Sequence, residues 1–233
     1  MSPQLIYTMG PSGAGKDSLL AWLRQQLSAQ APVHFARRTI DRPVHADGEQ
    51  HESIPTAEFH AHAARNAFAL HWSANSLHYG IRHAELEALQ REHWVFVNGS
   101  RAYLPTALER FPNLTVLHIT ASTGVLRQRL LSRGRESPEM VEARVQRAAG
   151  FQIPGHCRCV EVHNDASLDA AGHQLLGALS RLDGWSADAW TNLLTYAPLP
   201  ILLAGLGGVS PQTRLYRSFF LHEIGQDYVR TAP

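Results

Sequence analysis

The chain has 233 residues, 44% of them hydrophobic, which is enough for one core and an appendage. Its 21 basic and 20 acidic side chains give a formal net charge of +1, against the basic excess that general nucleic-acid or membrane-surface binders carry. Any anion site is therefore local, and the balance implies neither a nucleic-acid nor a membrane partner.

Leu5-Ile6-Tyr7-Thr8-Met9 reads as a buried strand and runs into Gly10-Pro11-Ser12-Gly13-Ala14-Gly15-Lys16-Asp17-Ser18. Leu19, Leu20, Leu23 and Leu27 then recur at helical spacing. Further strands are predicted at Val33–Ala36, Val95–Val97, Leu114–Ile119 and Cys159–Val162. Helices are predicted at Thr56–Ala67, Arg82–Arg91, Gly124–Ser132, Pro138–Ala149 and Leu168–Leu182. Ser137-Pro138-Glu139 is a helix start, with a capping serine, a proline at the first helical position and an acid in the first turn. Strands alternating with helices imply an α/β fold with a mainly parallel sheet covered on both faces.

After Gly184 the pattern changes, with Trp185, Trp190, Pro198, Pro200 and a glycine cluster but no helical or strand period. Residues 1–184 are expected to form the main domain and 185–233 a C-terminal extension. No basic region followed by an apolar stretch opens the chain, so no signal peptide is expected. Ala197–Val209 is too short to cross a bilayer. Cys157 and Cys159 are too close for an unstrained disulfide, which favours free thiols in a reducing compartment. The expected location is the cytoplasm. No pattern fixes the oligomeric state, and a homodimer stays open.

A glycine-rich turn on a strand–helix junction points successive backbone N–H groups into one concavity above the helix dipole. Lys16 then sets a cation against the β- and γ-phosphates of a nucleotide, so ATP is the expected co-substrate, with Mg²⁺. The serine or threonine that normally follows such a lysine and ligates Mg²⁺ is replaced by Asp17, with Ser18 one place later. The strand Val95–Val97 ends in Asn98, where many phosphate-loop enzymes hold an aspartate. Asp17 and Ser18 are the metal candidates. Asp17 either orients the metal, directly or through water, or caps the helix N-terminus, and both roles are compatible.

The loop resembles that of the guanylate kinase family, and the likeness continues from residue 4 to about 182. Arg38-Thr39-Ile40-Asp41-Arg42-Pro43 and Gly48-Glu49 look like that family's acceptor-phosphate segment. Phe68-Ala69-Leu70-His71-Trp72 and His78-Tyr79-Gly80 resemble its Phe-Leu-Glu-Trp and Tyr-Gly stretches. Arg129, Arg133, Arg135 and Arg144 fit its lid, and Asn164-Asp165 its adenine-side pair. The resemblance implies a P-loop, guanylate kinase-like fold with a lid. It gives ATP-binding roles to residues 10–18, Arg129, Arg135 and Asn164, and catalytic roles to Lys16, Arg133 and Arg144.

Two departures bear on the acceptor. Where the family reads guanine with a glutamate and a serine, this chain has His71 and Ile81, and loss of that pairing leaves buried donors unmatched. Phosphate handling is kept and base reading is lost. With Val97-Asn98-Gly99-Ser100-Arg101, the pattern is similar to the ribose 1,5-bisphosphate phosphokinase branch associated with phosphonate degradation. That likeness implies phosphorylation of ribose 1,5-bisphosphate to 5-phosphoribosyl 1-diphosphate, with a small phosphorylated sugar as partner. Arg38, Arg42, Arg101, Tyr79 and His71 are the substrate candidates; Arg37 is weaker, because neighbours leaving a strand face opposite ways. Two other readings remain, a nucleoside monophosphate kinase of altered base specificity and a non-catalytic interaction module. The intact Lys16 and lid arginines argue against the module.

Overall fold

The computed structural model describes residues 4–43, 51–134 and 137–185. The first elements are β1 (Leu5–Met9), α1 (Lys16–Gln26), β2 (Val33–Phe35), β3 (Arg38–Ile40), β4 (Glu52–Ser53) and α2 (Thr56–Ala64). There follow β5 (Phe68–Ala74), β6 (Leu77–Arg82), a 3-10 helix His83–Arg91, β7 (Trp94–Asn98) and α3 (Leu104–Arg110). The last are β8 (Thr115–Thr120), α4 (Thr123–Ser132), α5 (Pro138–Ala149), β9 (Cys159–His163) and α6 (Leu168–Leu179).

The five strands expected from the sequence form one sheet in the order β2-β7-β1-β8-β9, with every neighbouring pair parallel. Every residue of β1 is buried, so its side chains are apolar or nearly so on both faces. One face packs Ile6, Phe96, Leu117 and Ile119 against α1, α4, α5 and α6 through Leu19, Leu126, Val145 and Leu175. Within that layer Trp22 Nε1 donates to Asp169 Oδ1 at 2.7 Å, which ties α1 to α6. Ser122, Ser137 and Ser167 each cap a helix, accepting from the backbone of Val125, Met140 and Ala170.

The opposite face differs from the sequence expectation of helices alone. It is covered by α3, the 3-10 helix and a second, mixed sheet of order β4-β3-β6-β5. Helix α2 closes the far side of that sheet through Phe59, which stacks on Phe68 with centroids 4.7 Å apart. The predicted helix Arg82–Arg91 is a 3-10 helix, and its first residue belongs to β6. The predicted helices over 56–67 and 168–182 stop earlier, at Ala64 and Leu179.

Trp185 packs edge-on against Trp94, centroids 4.7 Å apart, and against Phe96. Residue 185, assigned to the extension from sequence, thus belongs to core packing. The rest of the expected extension, 186–233, lies outside the described residues.

Candidate active site

The phosphate loop leaves the end of β1, the middle strand of the parallel sheet. Gly15 holds φ at 83°, and a Cβ there would run into the Asn164 amide. Asn164, just after β9, donates from Nδ2 to Ala14 O at 2.8 Å and is 4% exposed. In this geometry Asn164 buttresses the loop, one amide N–H donating to backbone 150 residues away.

Lys16 opens α1 and curls back, donating from Nζ to Gly10 O (3.0 Å) and Pro11 O (3.2 Å). Burial pushes its ammonium down to about 8; Asp17 opposes that, and Arg38, Arg101 and Arg133 add to it. Three candidate arginines from three different elements therefore act on one lysine. A region of such convergent positive charge is built to receive polyanions.

Asp17 follows Lys16 in the first turn, where a carboxylate suits the helix dipole. The N-cap position of α1 is held by Gly15, so Asp17 sits inside the first turn rather than at the cap. Its Oδ1 accepts from Asn98 Nδ2, at the end of β7, and from Arg38 Nη2 at 3.4 Å. The carboxylate is 59% exposed while Arg38 is 11% exposed. Among the described residues, Asn98 Oδ1 and Thr8 Oγ1 are buried without a hydrogen-bond partner. Oxygen donors gathered at two strand ends and a helix start suit a hard divalent cation. Ser18 is exposed one residue further along α1.

On the acceptor side, Arg38 Cζ lies 5.5 Å from the Tyr79 ring centroid. Tyr79 in turn stacks on Trp72, centroids 5.6 Å and planes 6° apart. Arg37 is exposed, and its backbone N–H donates to Glu85 Oε2 at 2.9 Å. Arg42 sits in the turn after β3, held by a bond between its carbonyl and His51 Nε2 at 3.1 Å, and its Nε is buried without a hydrogen-bond partner among the described residues. Arg101 Nη1 is likewise buried without a hydrogen-bond partner among the described residues, and the Arg101 Cζ lies 5.1 Å from the Phe151 ring centroid.

His71 is not brought into this group. It pairs with Gly80 in the β5–β6 ladder, one step out of phase with the Trp72–Tyr79 pair, so alternation turns it to the other face. There its ring lies 6.3 Å from Phe68, and burial, with Arg110 nearby, holds its imidazole below the usual range. Ile81 is fully buried in the core.

The lid residues lie on α4 and α5. Arg129 Nη1 donates to Gly13 O at 3.4 Å, and Arg133 follows the last turn of α4. Arg127 forks onto Glu142 at 2.8 and 3.1 Å, which joins the two helices. Arg144 reaches from α5 to Asn75 Oδ1 at 3.3 Å, at the tip of the β5–β6 hairpin. Arg135 lies outside the described residues.

Some supporting residues escape sequence reasoning. Asp41 accepts from the backbone N–H of His78 and from Thr56 Oγ1, and pairs with His78 Nδ1, fixing the turn that carries Arg42. Glu52 takes both Arg82 Nε and Nη2, and Thr39 Oγ1, tying β4 to β3 and β6. Asp41 directly before Arg42 was visible in the sequence, but its partner 37 residues away was not.

A parallel sheet with a glycine loop, a second sheet bearing arginines and a two-helix lid define the guanylate kinase-like class of P-loop kinases. Guanylate kinase from Anaplasma phagocytophilum superposes with a TM-score of 0.55, covering 83% of this chain and 92% of that one, at 11% identity, which speaks to fold alone. No protein-family model matches the chain. A protein of Thiobacillus denitrificans named ribose 1,5-bisphosphate phosphokinase is 43% identical over 180 residues, 77% of this chain and 94% of its own length. Another of that name from Chromobacterium violaceum is 46% identical over 178 residues, 74% of this chain and 91% of its own. A third, from Laribacter hongkongensis, is 48% identical over 177 residues, and there the match spans 42% of a longer protein. The chain belongs to the ribose 1,5-bisphosphate phosphokinase family.

Proposed function

We propose that the protein transfers the γ-phosphoryl group of ATP to the 1-phosphate of ribose 1,5-bisphosphate, giving ADP and 5-phosphoribosyl 1-diphosphate. The observation that carries this reading is the glycine loop with Lys16 curled onto it and joined to the second sheet by Arg38, whose guanidinium donates to Asp17, the next residue along the chain. The acceptor oxygen belongs to a phosphate whose second pKa is about 6, so it is largely ionised near neutral pH and needs no general base. A bond forms between that oxygen and the γ-phosphorus, and the bond to the β–γ bridging oxygen breaks. Catalysis is then alignment and charge neutralisation.

In this reading Lys16 and the backbone of residues 10–15 hold the ATP phosphates. Arg129, Arg133 and Arg144 close over them from the lid, with Arg135 assigned the same role by resemblance. Arg38, Arg42 and Arg101 hold the two acceptor phosphates beside Tyr79. Magnesium suits the oxygen donors described above: Asp17 would hold it, directly or through water, with Asn98 beside it and Ser18 a second candidate. When bound it neutralises charge shared by the β- and γ-phosphates. The catalytic unit is taken as residues 1–184 extended by Trp185, working in the cytoplasm on a small phosphorylated sugar. Among the described residues no helix is long and apolar enough to cross a membrane.

The competing enzyme reading is a nucleoside monophosphate kinase. Ile81 in the core and His71 on the far face leave neither position to read a base edge. The deciding experiment offers ribose 1,5-bisphosphate and GMP separately with saturating Mg-ATP and follows the products by phosphorus NMR. A diphosphate product from the sugar alone is expected; turnover of GMP alone would sink the proposal.

A further inference from the structure

Tyr7 lies in the middle of β1 and is wholly buried. Its Oη donates to Ser100 O and accepts from Ser100 N, each at 2.9 Å, so one hydroxyl serves both main-chain groups of a single residue. Gly99 packs against the same ring so closely that any Cβ there would overlap Cζ and Oη. The Gly99 N–H also donates to Thr8 O at 2.8 Å. Three hydrogen bonds thus fasten residues 99–100 to the strand that runs on into the phosphate loop. Arg101 is the next residue, opening the short 3-10 turn Arg101–Tyr103.

We propose that Tyr7 is a positioning residue for Arg101, setting the distance between the phosphate loop and the acceptor-side guanidinium. The inference rests on the phosphokinase reading above, in which Arg101 meets the acceptor. The chemistry demands a phenol. Phenylalanine would fill the same space but leave a donor and an acceptor of Ser100 unmatched. Burial raises the Tyr7 phenol well above its ordinary range, so it stays protonated and keeps its donor.

A double-mutant cycle tests this, with wild type, Tyr7→Phe, Arg101→Ala and the double variant compared on ribose 1,5-bisphosphate and ATP. Tyr7→Phe is expected to lower kcat/KM for the sugar about tenfold and to leave KM for ATP within about twofold. In the Arg101→Ala background the same change is expected to add less than about twofold, because its effect runs through the missing arginine. Equal losses in both backgrounds would mean a general structural role and overturn the proposal. Hydrogen exchange on the unaltered enzyme is a second check that needs no variant. The Ser100 amide is expected to exchange as slowly as amides of β1, and fast exchange overturns the clamp. A wild type inert toward the bisphosphate sinks the substrate reading and this inference with it. An active wild type with additive losses sinks only the link from Tyr7 to Arg101.

Discussion

Asn98 donates from Nδ2 to Oδ1 of Asp17, so the end of β7 and the first turn of α1 share a single carboxylate. Arg38 donates to the same oxygen from β3 of the second sheet. One exposed acid therefore stands where the glycine loop, a strand end and an arginine of the second sheet meet.

Asp17→Asn is expected to raise the Mg²⁺ concentration needed for half-maximal activity by about tenfold, the loss of roughly one charged hydrogen bond or ligand. Nucleotide binding without metal should change by less than about twofold. A Mg²⁺ titration of the variant, paired with a melting curve, separates the two roles open for this residue. An unchanged titration with a lowered Tm would leave only the helix-dipole role.

Lys16 gives a pH signature. Its folded pKa, about 8, lies below the ordinary lysine value, so between about 8 and 10.4 the unfolded chain holds a proton that the folded chain has released. Stability from this group therefore rises with pH through that window, and its penalty is complete below pH 8. Lys16→Met removes the penalty. The variant should melt above wild type at pH 7, with the gap narrowing toward pH 10, while phosphotransfer falls about 10²–10³-fold. Parallel melting curves across pH, or retained activity, would contradict the role given to Lys16.

The packing of Trp185 on Trp94 places a boundary for truncation. A chain ending after Trp185 should keep its Tm and its activity. One ending after Gly184 loses a half-buried indole, worth about 3 kcal/mol, and should melt about 6–12 °C lower. Calorimetry on both truncated chains decides it. An inactive or insoluble 1–185 fragment would assign a structural task to residues beyond 185.

The parallel sheet was legible because each of its strands is a short apolar run between helices with plain caps and periods. The second sheet was not. β3 has three residues and β4 two, below the length at which alternation registers. In β5 the register shifts between Phe68 and Leu70, which breaks the period of two at the point where it would have been counted. The Asn75-Ser76 turn, both residues at positive φ, was the available hairpin signal between two aromatic-rich runs. The glycine and arginine motifs marked candidate site residues from the sequence alone. Asn98 was singled out as a departure, but its bond to Asp17 joins residues 81 apart and needed the fold. The facing of His71 was readable from its neighbour Trp72, had the strand been recognised.

The acceptor arginines give the last prediction. Arg42 is held through its backbone by His51, and the preceding Asp41 is anchored to His78 and Thr56, so the guanidinium is carried on a fixed turn rather than a loose loop. Its Nε is buried without a partner among the described residues, which is costly unless a ligand supplies one. Arg42→Ala removes a charged donor from the acceptor site and leaves the phosphate loop untouched. Losing such an interaction costs about 1.5–3 kcal/mol, or roughly tenfold to a hundredfold in kcat/KM for ribose 1,5-bisphosphate. KM for ATP should stay within about twofold, since Arg42 is anchored at the turn after β3 through His51 rather than on the glycine loop. Steady-state kinetics with each substrate varied in turn reads both numbers. A matched rise in both KM values would mean that Arg42 organises the whole cleft, and an unchanged kcat/KM for the sugar would remove it from the acceptor site.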